Sequence, residues 1–328
     1  MSTCATESDM LLRLSTSFRL NVLAFNLITL LTFIFSIQAI HKILKNAIFS
    51  RTVQVMFTFN LIFYNIHAIY LSIVMTWSTY RGFIQAADPC KIMFEGAECY
   101  GWFIFGVVIR CVLIYSQVVL TVERLVTYLF PASKPLLNAY ILNLLGVLGG
   151  LVTAYFMTAP HISKYTSTSC FQQKYIDYNT VQNMTWIMFI CGVVCLVLNY
   201  WILHQNKSRI SKNSSEKMFD LASRFKNNNN MYSSITVSII ILIQTLFYSF
   251  YAFYLSFFYN REFLEVILPS ASRALWLYMI PYAGLALPIS ITISINKIVT
   301  SRSLKIEQLR KTSQTQDNHF RDLMKQWK

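Results

Sequence analysis

The chain has 328 residues, 55% of them hydrophobic and 13% charged, and its mean hydropathy is +0.46. These proportions exclude an ordinary soluble protein, because several apolar runs of 18 or more residues in series exceed what one aqueous core can cover. A formal net charge of +14 would suggest nucleic acid on a soluble protein; on a membrane protein it first asks which loops carry it.

The first apolar run begins at Leu20, after Arg13 and Arg19, and ends before His41 and Lys42. It is longer than the apolar region of a signal peptide and no small-residue cleavage site follows, so it is read as a retained span. Spans are expected at about 20–41, 53–77, 101–126, 136–158, 184–204, 233–258 and 274–298, many edged by interfacial Trp or followed by Pro. The fold class is therefore an all-α membrane protein, a seven-transmembrane helix bundle. Residues 1–19 form a segment before it and 299–328 a tail after it.

Charge decides the orientation. The N-terminal segment and the second, fourth and sixth connections hold Arg13, Arg19, Arg81, Lys91, Lys164, Lys174, Arg261 and Arg273 against eight acids. The opposite side holds nineteen bases against six acids, including Lys207, Arg209, Lys212, Arg224 and eight bases from Lys297 onward. By the positive-inside rule the N-terminus is outside and the C-terminus cytoplasmic, and topology accounts for the charge without nucleic acid. The sequon Asn183-Met184-Thr185 then falls outside and is a glycosylation candidate.

The third span is the most informative. At 100° per residue, Cys99, Phe103, Arg110, Gln117, Thr121 and Arg124 fall on one stripe, about 37 Å long as a helix. Such a stripe must face the bundle interior, since a charge at the bilayer centre costs roughly 2.5–3.5 kcal/mol. Arg110 is the only basic residue well inside a span, and no acid lies at similar depth. One reading makes it a ligand anchor, suited to a carboxylate-bearing small molecule; the other makes it a structural arginine satisfied by hydroxyls and carbonyls. Gln117 and His67, with Asn60, Asn65 and Gln244, serve either. Tyr251 and Tyr254 on the sixth span, with Trp276, Tyr278 and Tyr282, are candidate walls of an outer pocket, although lipid contact accounts for most aromatics there.

Of seven cysteines, Cys111, Cys191 and Cys195 lie in apolar segments. Cys99 and Cys170 are expected to close a disulfide over the outer end, with Cys90 a competing partner for either. Gly146 and Gly150 form a small-xxx-small pattern, for packing within the bundle first and for a homo-oligomer contact second. Pro281 and Pro288 are expected to kink the seventh span. Beyond it, the segment from Ser301 to Lys311 suits a short amphipathic helix on anionic membrane lipid, or a solvated tail.

Glu123-Arg124-Leu125 at the inner end of the third span resembles the acidic-arginine signature that closes the third helix of rhodopsin-like G-protein-coupled receptors. The run Met218-Phe219-Asp220-Leu221-Ala222-Ser223-Arg224-Phe225-Lys226 resembles the segment before the sixth helix in nematode serpentine chemoreceptors of the alpha class, the Sra family. Two departures stand out. Lys226 and an asparagine run replace the pattern's glutamine and glutamate, and Leu287-Pro288-Ile289 replaces the asparagine-proline motif of rhodopsin-like seventh helices. The resemblance implies a plasma-membrane receptor of chemosensory neurons, with a small-molecule ligand and a heterotrimeric G protein as partners. Glu123, Arg124 and Arg224 would be its coupling residues.

A transporter or channel is the competing class, and it predicts inverted repeats and facing charges; no repeat of the first half is visible. Neither paired intramembrane aspartates nor His-Glu-x-x-His occurs, so no catalytic residue, metal or cofactor is expected.

Overall fold

In lipid no water satisfies a backbone N–H or C=O, so each apolar run has to close its hydrogen bonds within itself, as a helix. The computed structural model describes residues 15–46, 48–84, 88, 90–92, 94, 96–130, 135–158, 170, 178–216, 221–257 and 276–326. Their long elements are seven helices: α1 Thr16–Lys45, α2 Arg51–Ile84, α3 Gly96–Leu129, α4 Pro135–Thr158, α5 Tyr178–Glu216, α6 Leu221–Phe257 and α7 Ile280–Gln326. Each contains a window long and apolar enough to cross a bilayer, which bears out the seven-helix reading.

Local chemistry starts and stops these helices. Ser15 caps α1 by accepting from the Phe18 amide at 3.2 Å, and the Asn46 side chain returns to the Lys42 carbonyl at 2.9 Å. Gln54 donates to the Ile43 and Phe49 carbonyls and so braces the turn between α1 and α2. Pro281 does not kink α7 as expected: it lies in the first turn, where the missing N–H costs nothing, and Pro288 alone is interior. The segment from Ser301 to Lys311 is likewise not a separate helix turned onto the membrane. From Ile289 to Gln326 the sequence has neither Gly nor Pro, so nothing stops α7, whose 47 residues span about 70 Å. With α5 and α6 also well over a bilayer in length, three helices continue past the apolar zone at the Arg124 end.

The helices pack in a ring in which α1 touches α2 and α7, α5 packs on α6, and α3 runs against α2, α4, α5 and α6. The most apolar window of α3 is 56% buried, against 28% for α1, α4 and α5, which makes α3 the axis of the bundle. Lipid-facing helices show the reverse: Leu144, Leu148 and Tyr155 of α4 and Ile187, Ile190 and Val197 of α5 are exposed. Between α3 and α4 small residues permit close approach. A methyl group on Gly150 would sit 2.9 Å from the Val112 backbone nitrogen, and one on Gly149 3.0 Å from the Tyr115 ring. Tyr115 and Thr153 add a hydroxyl contact at 3.0 Å across the same seam.

The glycine seam therefore serves packing within the chain. Gly150→Ala is expected to destabilise the purified protein by about 1–3 kcal/mol through overpacking against backbone. Gly101→Ala, which meets nothing within 4 Å, is the matched control and should leave the thermal midpoint in detergent unchanged or raised.

Candidate functional site

The stripe along α3 turns inward. Cys99, Phe103, Gln117, Thr121 and Arg124 are all buried, and Arg110 is partly buried midway along the helix. It is a column of polar chemistry inside an otherwise apolar bundle, and other helices answer it at three levels.

At the first level Arg110 meets three phenols and an imidazole. Its guanidinium carbon lies 5.7 Å from the Tyr278 ring centroid, within cation–π range. Tyr70, Tyr251 and Tyr278 are its electrostatic neighbours, and His67 feels its charge. These groups lock one another: His67 Nε2 is 2.8 Å from the Tyr278 hydroxyl, and the Tyr251 and Tyr278 rings meet edge to face at 5.7 Å. The site thus draws on α2, α3, α6 and the residues leading into α7. Every neighbour named is neutral in its ordinary state, so the cluster carries one positive charge in a setting of polarisable rings.

One level down, the Tyr64 and Tyr248 hydroxyls are 2.9 Å apart, and Gln244 Nε2 donates to the Tyr64 hydroxyl at 2.9 Å. All three residues are buried, so this is an interior bridge between α2 and α6. On the sixth helix Phe247 packs partly buried against the core. Tyr248, Tyr251 and Tyr254 face inward, whereas Phe250, Phe253 and Phe257 are exposed toward lipid. A phenol buried in the bundle can find a hydroxyl or amide partner; in lipid it finds none.

At the far end Arg124 turns back on its neighbour. Its Nε and Nη2 donate to the two Glu123 carboxylate oxygens at 2.5 and 2.6 Å, and Thr127 donates to the same carboxylate at 2.9 Å. Both charged side chains are almost fully buried, at 2% and 3% exposure. A turn above, Asn199 of α5 donates to Thr121 at 2.8 Å and joins α5 to α3. A buried bidentate ion pair is held by mutual satisfaction, so disturbing either partner destabilises this arrangement strongly.

The remaining expected residues spread out. Gln117 is buried on α3 two turns beyond Arg110, beside Thr121 rather than in the cluster. Tyr254 is buried about one turn beyond Tyr251. Trp276 stands apart at the rim of α1, donating to the Ser17 hydroxyl at 3.3 Å. Asn183 is exposed on the first turns of α5, but Thr185 of the same sequon is 4% exposed. Arg224 lies in the first turn of α6, its side chain outside the described residues. Cys99 is bonded to Cys170, which ties the loop before α5 to the start of α3. Cys90 is disulfide-bonded as well, and since Cys99 and Cys170 hold each other its partner is neither. Among the described residues no group of three or more His, Cys, Asp or Glu is placed to hold a metal ion.

Tyr70 and Tyr64 are the members that sequence reasoning missed. A signal existed for Tyr70: it follows His67 by three residues, hence on the same helix face, and it rests on Gly106, one turn before Arg110. A Cβ at Gly106 would collide with the Tyr70 hydroxyl and ring. Glycine at that position lets the phenol reach the guanidinium.

Comparison with known proteins gives a consistent result over the whole length. The family described as "Serpentine type 7TM GPCR chemoreceptor Sra" matches residues 1–327. Serpentine receptor class alpha-32 of Caenorhabditis elegans is 28% identical over 325 residues, covering 97% of this chain and 94% of the relative. Serpentine receptor class alpha-10 is 25% identical in Caenorhabditis elegans and 24% in Caenorhabditis briggsae, covering at least 97% of either chain in each case.

The α2–α6 bridge is testable on its own. In a double-mutant cycle of Tyr64→Phe and Tyr248→Phe, unfolding in detergent is expected to give a coupling of about 0.6 kcal/mol, and up to ~1.7 kcal/mol. Strict additivity would show that the two hydroxyls do not interact.

Proposed function

We propose that this chain, which belongs to the Sra family of serpentine-type seven-transmembrane chemoreceptors, binds a small molecule in the bundle around Arg110 and signals to a heterotrimeric G protein at the Arg124 end. It is a multi-pass membrane protein of a receptor family, with seven spanning helices. The observation that carries the reading is the Arg110 cluster: a permanently charged guanidinium among Tyr70, Tyr251, Tyr278 and His67. Such a site suits a small molecule with a carboxylate, bound by the guanidinium, and an apolar body against the rings.

The chain is inserted with its N-terminus outside, as the excess of basic residues on the Lys42, Arg124 and Lys297 side supports. The cluster then faces the outside through the disulfide-tied end, and the buried Glu123–Arg124 pair lies at the cytoplasmic end. Between them, the hydroxyl bridge of Tyr64, Tyr248 and Gln244 makes the position of α6 relative to α2 depend on contacts one turn below the ligand. A ligand that drew Tyr251 and Tyr278 toward itself would load that bridge. In the state described here Arg124 is masked by Glu123. Coupling requires its release, so a ligand acts by preferring the state in which the pair is open.

In cells expressing the chain with a second-messenger reporter, carboxylate-bearing small molecules are expected to give a response. Arg110→Gln should raise the half-effective concentration about 10- to 100-fold at equal surface expression, the scale of one charged hydrogen-bonding contact. An unchanged response would assign Arg110 a structural role. Glu123→Gln is expected to raise ligand-independent nucleotide exchange on an added G protein, because it removes the charge that masks Arg124. Substrate flux in liposomes without any such exchange would point to a transporter instead. An N-terminal epitope tag should stain on intact cells, and a C-terminal tag only after permeabilisation.

A further inference from the structure

At the Arg124 end, away from the coupling pair, α1 and α7 part to leave a cavity of about 500 Å³. Its walls are Lys45 and Asn46 at the end of α1, Ile48 in the turn that follows, and Val299, Arg302, Ser303 and Ile306 on α7. The volume is within the range of small-ligand pockets. Two of the lining residues are cations, two are neutral hydrogen-bonding residues, and none is acidic. Glu307 is adjacent in sequence to Ile306, but its carboxylate takes the Lys311 ammonium at 2.9 Å. Among the described residues, the lining therefore holds two cations and no acid.

Its frame is well fixed. Lys42 donates to Asn296 at 2.9 Å and pins α1 to α7 one turn above, while Asn46 and Gln54 brace the turn beneath. Arg302 donates to Asn229 of α6 at 2.5 Å and stacks over Tyr232 at 5.4 Å, which holds its guanidinium at the cavity wall. By contrast Lys45 is exposed and able to close on an anion. Next to it Leu44 is 66% exposed on the lipid-facing side of α1, and Val299 is 41% exposed on α7. The cavity thus sets two cations and two neutral polar groups beside the apolar Ile48, Val299 and Ile306, at the edge of the spanning zone. A soluble anion would have no use for those apolar residues; a molecule with a polar head and hydrocarbon chains uses both.

We propose that this cavity is a binding site for the phosphorylated headgroup of an anionic membrane lipid. Lys45 and Arg302 take the phosphates, Asn46 and Ser303 the hydroxyl or ester oxygens, and the acyl chains lie along Leu44 and Val299. Basic pockets between helices at the cytoplasmic membrane surface recognise such headgroups through charge and hydrogen bonding together. The assignment to the inner leaflet rests on the orientation argued above; the site itself does not.

The test titrates the purified full-length chain in detergent with fluorescent short-chain phosphatidylinositol 4,5-bisphosphate. Near a membrane surface each basic residue is worth about fivefold in binding, so Lys45→Gln with Arg302→Gln should weaken the interaction roughly 20-fold. Lys207→Gln with Arg310→Gln removes the same charge at exposed positions outside the cavity and should cost less than twofold. Equal losses in the two pairs, or none in the first, would overturn the site in favour of diffuse attraction. Soluble inositol 1,4,5-trisphosphate is expected to bind at least tenfold more weakly than the lipid; equal affinity would overturn the lipid assignment. Because Arg302 also holds Asn229, Lys45→Gln alone is the second variant, with a fivefold loss expected at an exposed position. Micelles have no sides and the assay needs no agonist, so its failure would leave the receptor reading standing. Failure of the receptor reading would equally leave this binding in place.

Discussion

A fixed charge halfway along a membrane helix is the constraint from which the rest of this structure follows. Arg110 cannot lose its proton at any accessible pH, and lipid offers it nothing. The bundle answers by turning that face of α3 inward and bringing aromatic and imidazole groups from α2, α6 and the start of α7 around it. Once α3 has that rotation, Thr121 is delivered to Asn199, and Arg124 is carried into the protein rather than into the headgroup region. The two ends of the molecule are thus in register because both lie on a single helix face.

The bundle is held together by different contacts on its two sides. Between α3 and α4 the contact is glycine against Val112 backbone and against the Val119 and Tyr115 side chains, which brings the two helices close. Between α2 and α6 the contact is a pair of hydroxyls and an amide, all buried. Close packing thus lies on the α4 side of α3 and hydrogen bonding toward α6. At the Arg124 end α5 and α6 extend beyond the apolar zone. At the same end α7 runs on without a break and carries Arg302 against Asn229, so the extended helices are mutually supported.

Helix number and class were legible because they depend on local quantities. Apolar length and the scarcity of Gly and Pro within the spans suffice to call for a helix, and period 3.6 suffices to gather Cys99, Arg110, Gln117 and Arg124 on one face. The errors were of the same origin. Pro281 read as a kink because its place relative to the helix start is set by how α7 begins, and the segment after Ile298 read as a separate element although no residue there ends a helix. Tyr70 and Tyr64 were overlooked because, among nineteen tyrosines, position in the sequence does not say which ones point at a charge on another helix.

The amino-acid sequence by itself determined that the chain crosses a membrane seven times, which face of α3 had to be hidden, and which end of the bundle carries the positive charge. Each follows from the cost of placing polar groups in hydrocarbon, paid residue by residue. Only the tertiary structure decided which groups meet Arg110, that Tyr64 and Tyr248 join α2 to α6, that Trp276 belongs to the rim rather than the cluster, and that Lys45 and Arg302 face one cavity. Those contacts join residues up to 259 positions apart, and their geometry depends on how seven helices rotate and tilt against one another. No single helix contains that information.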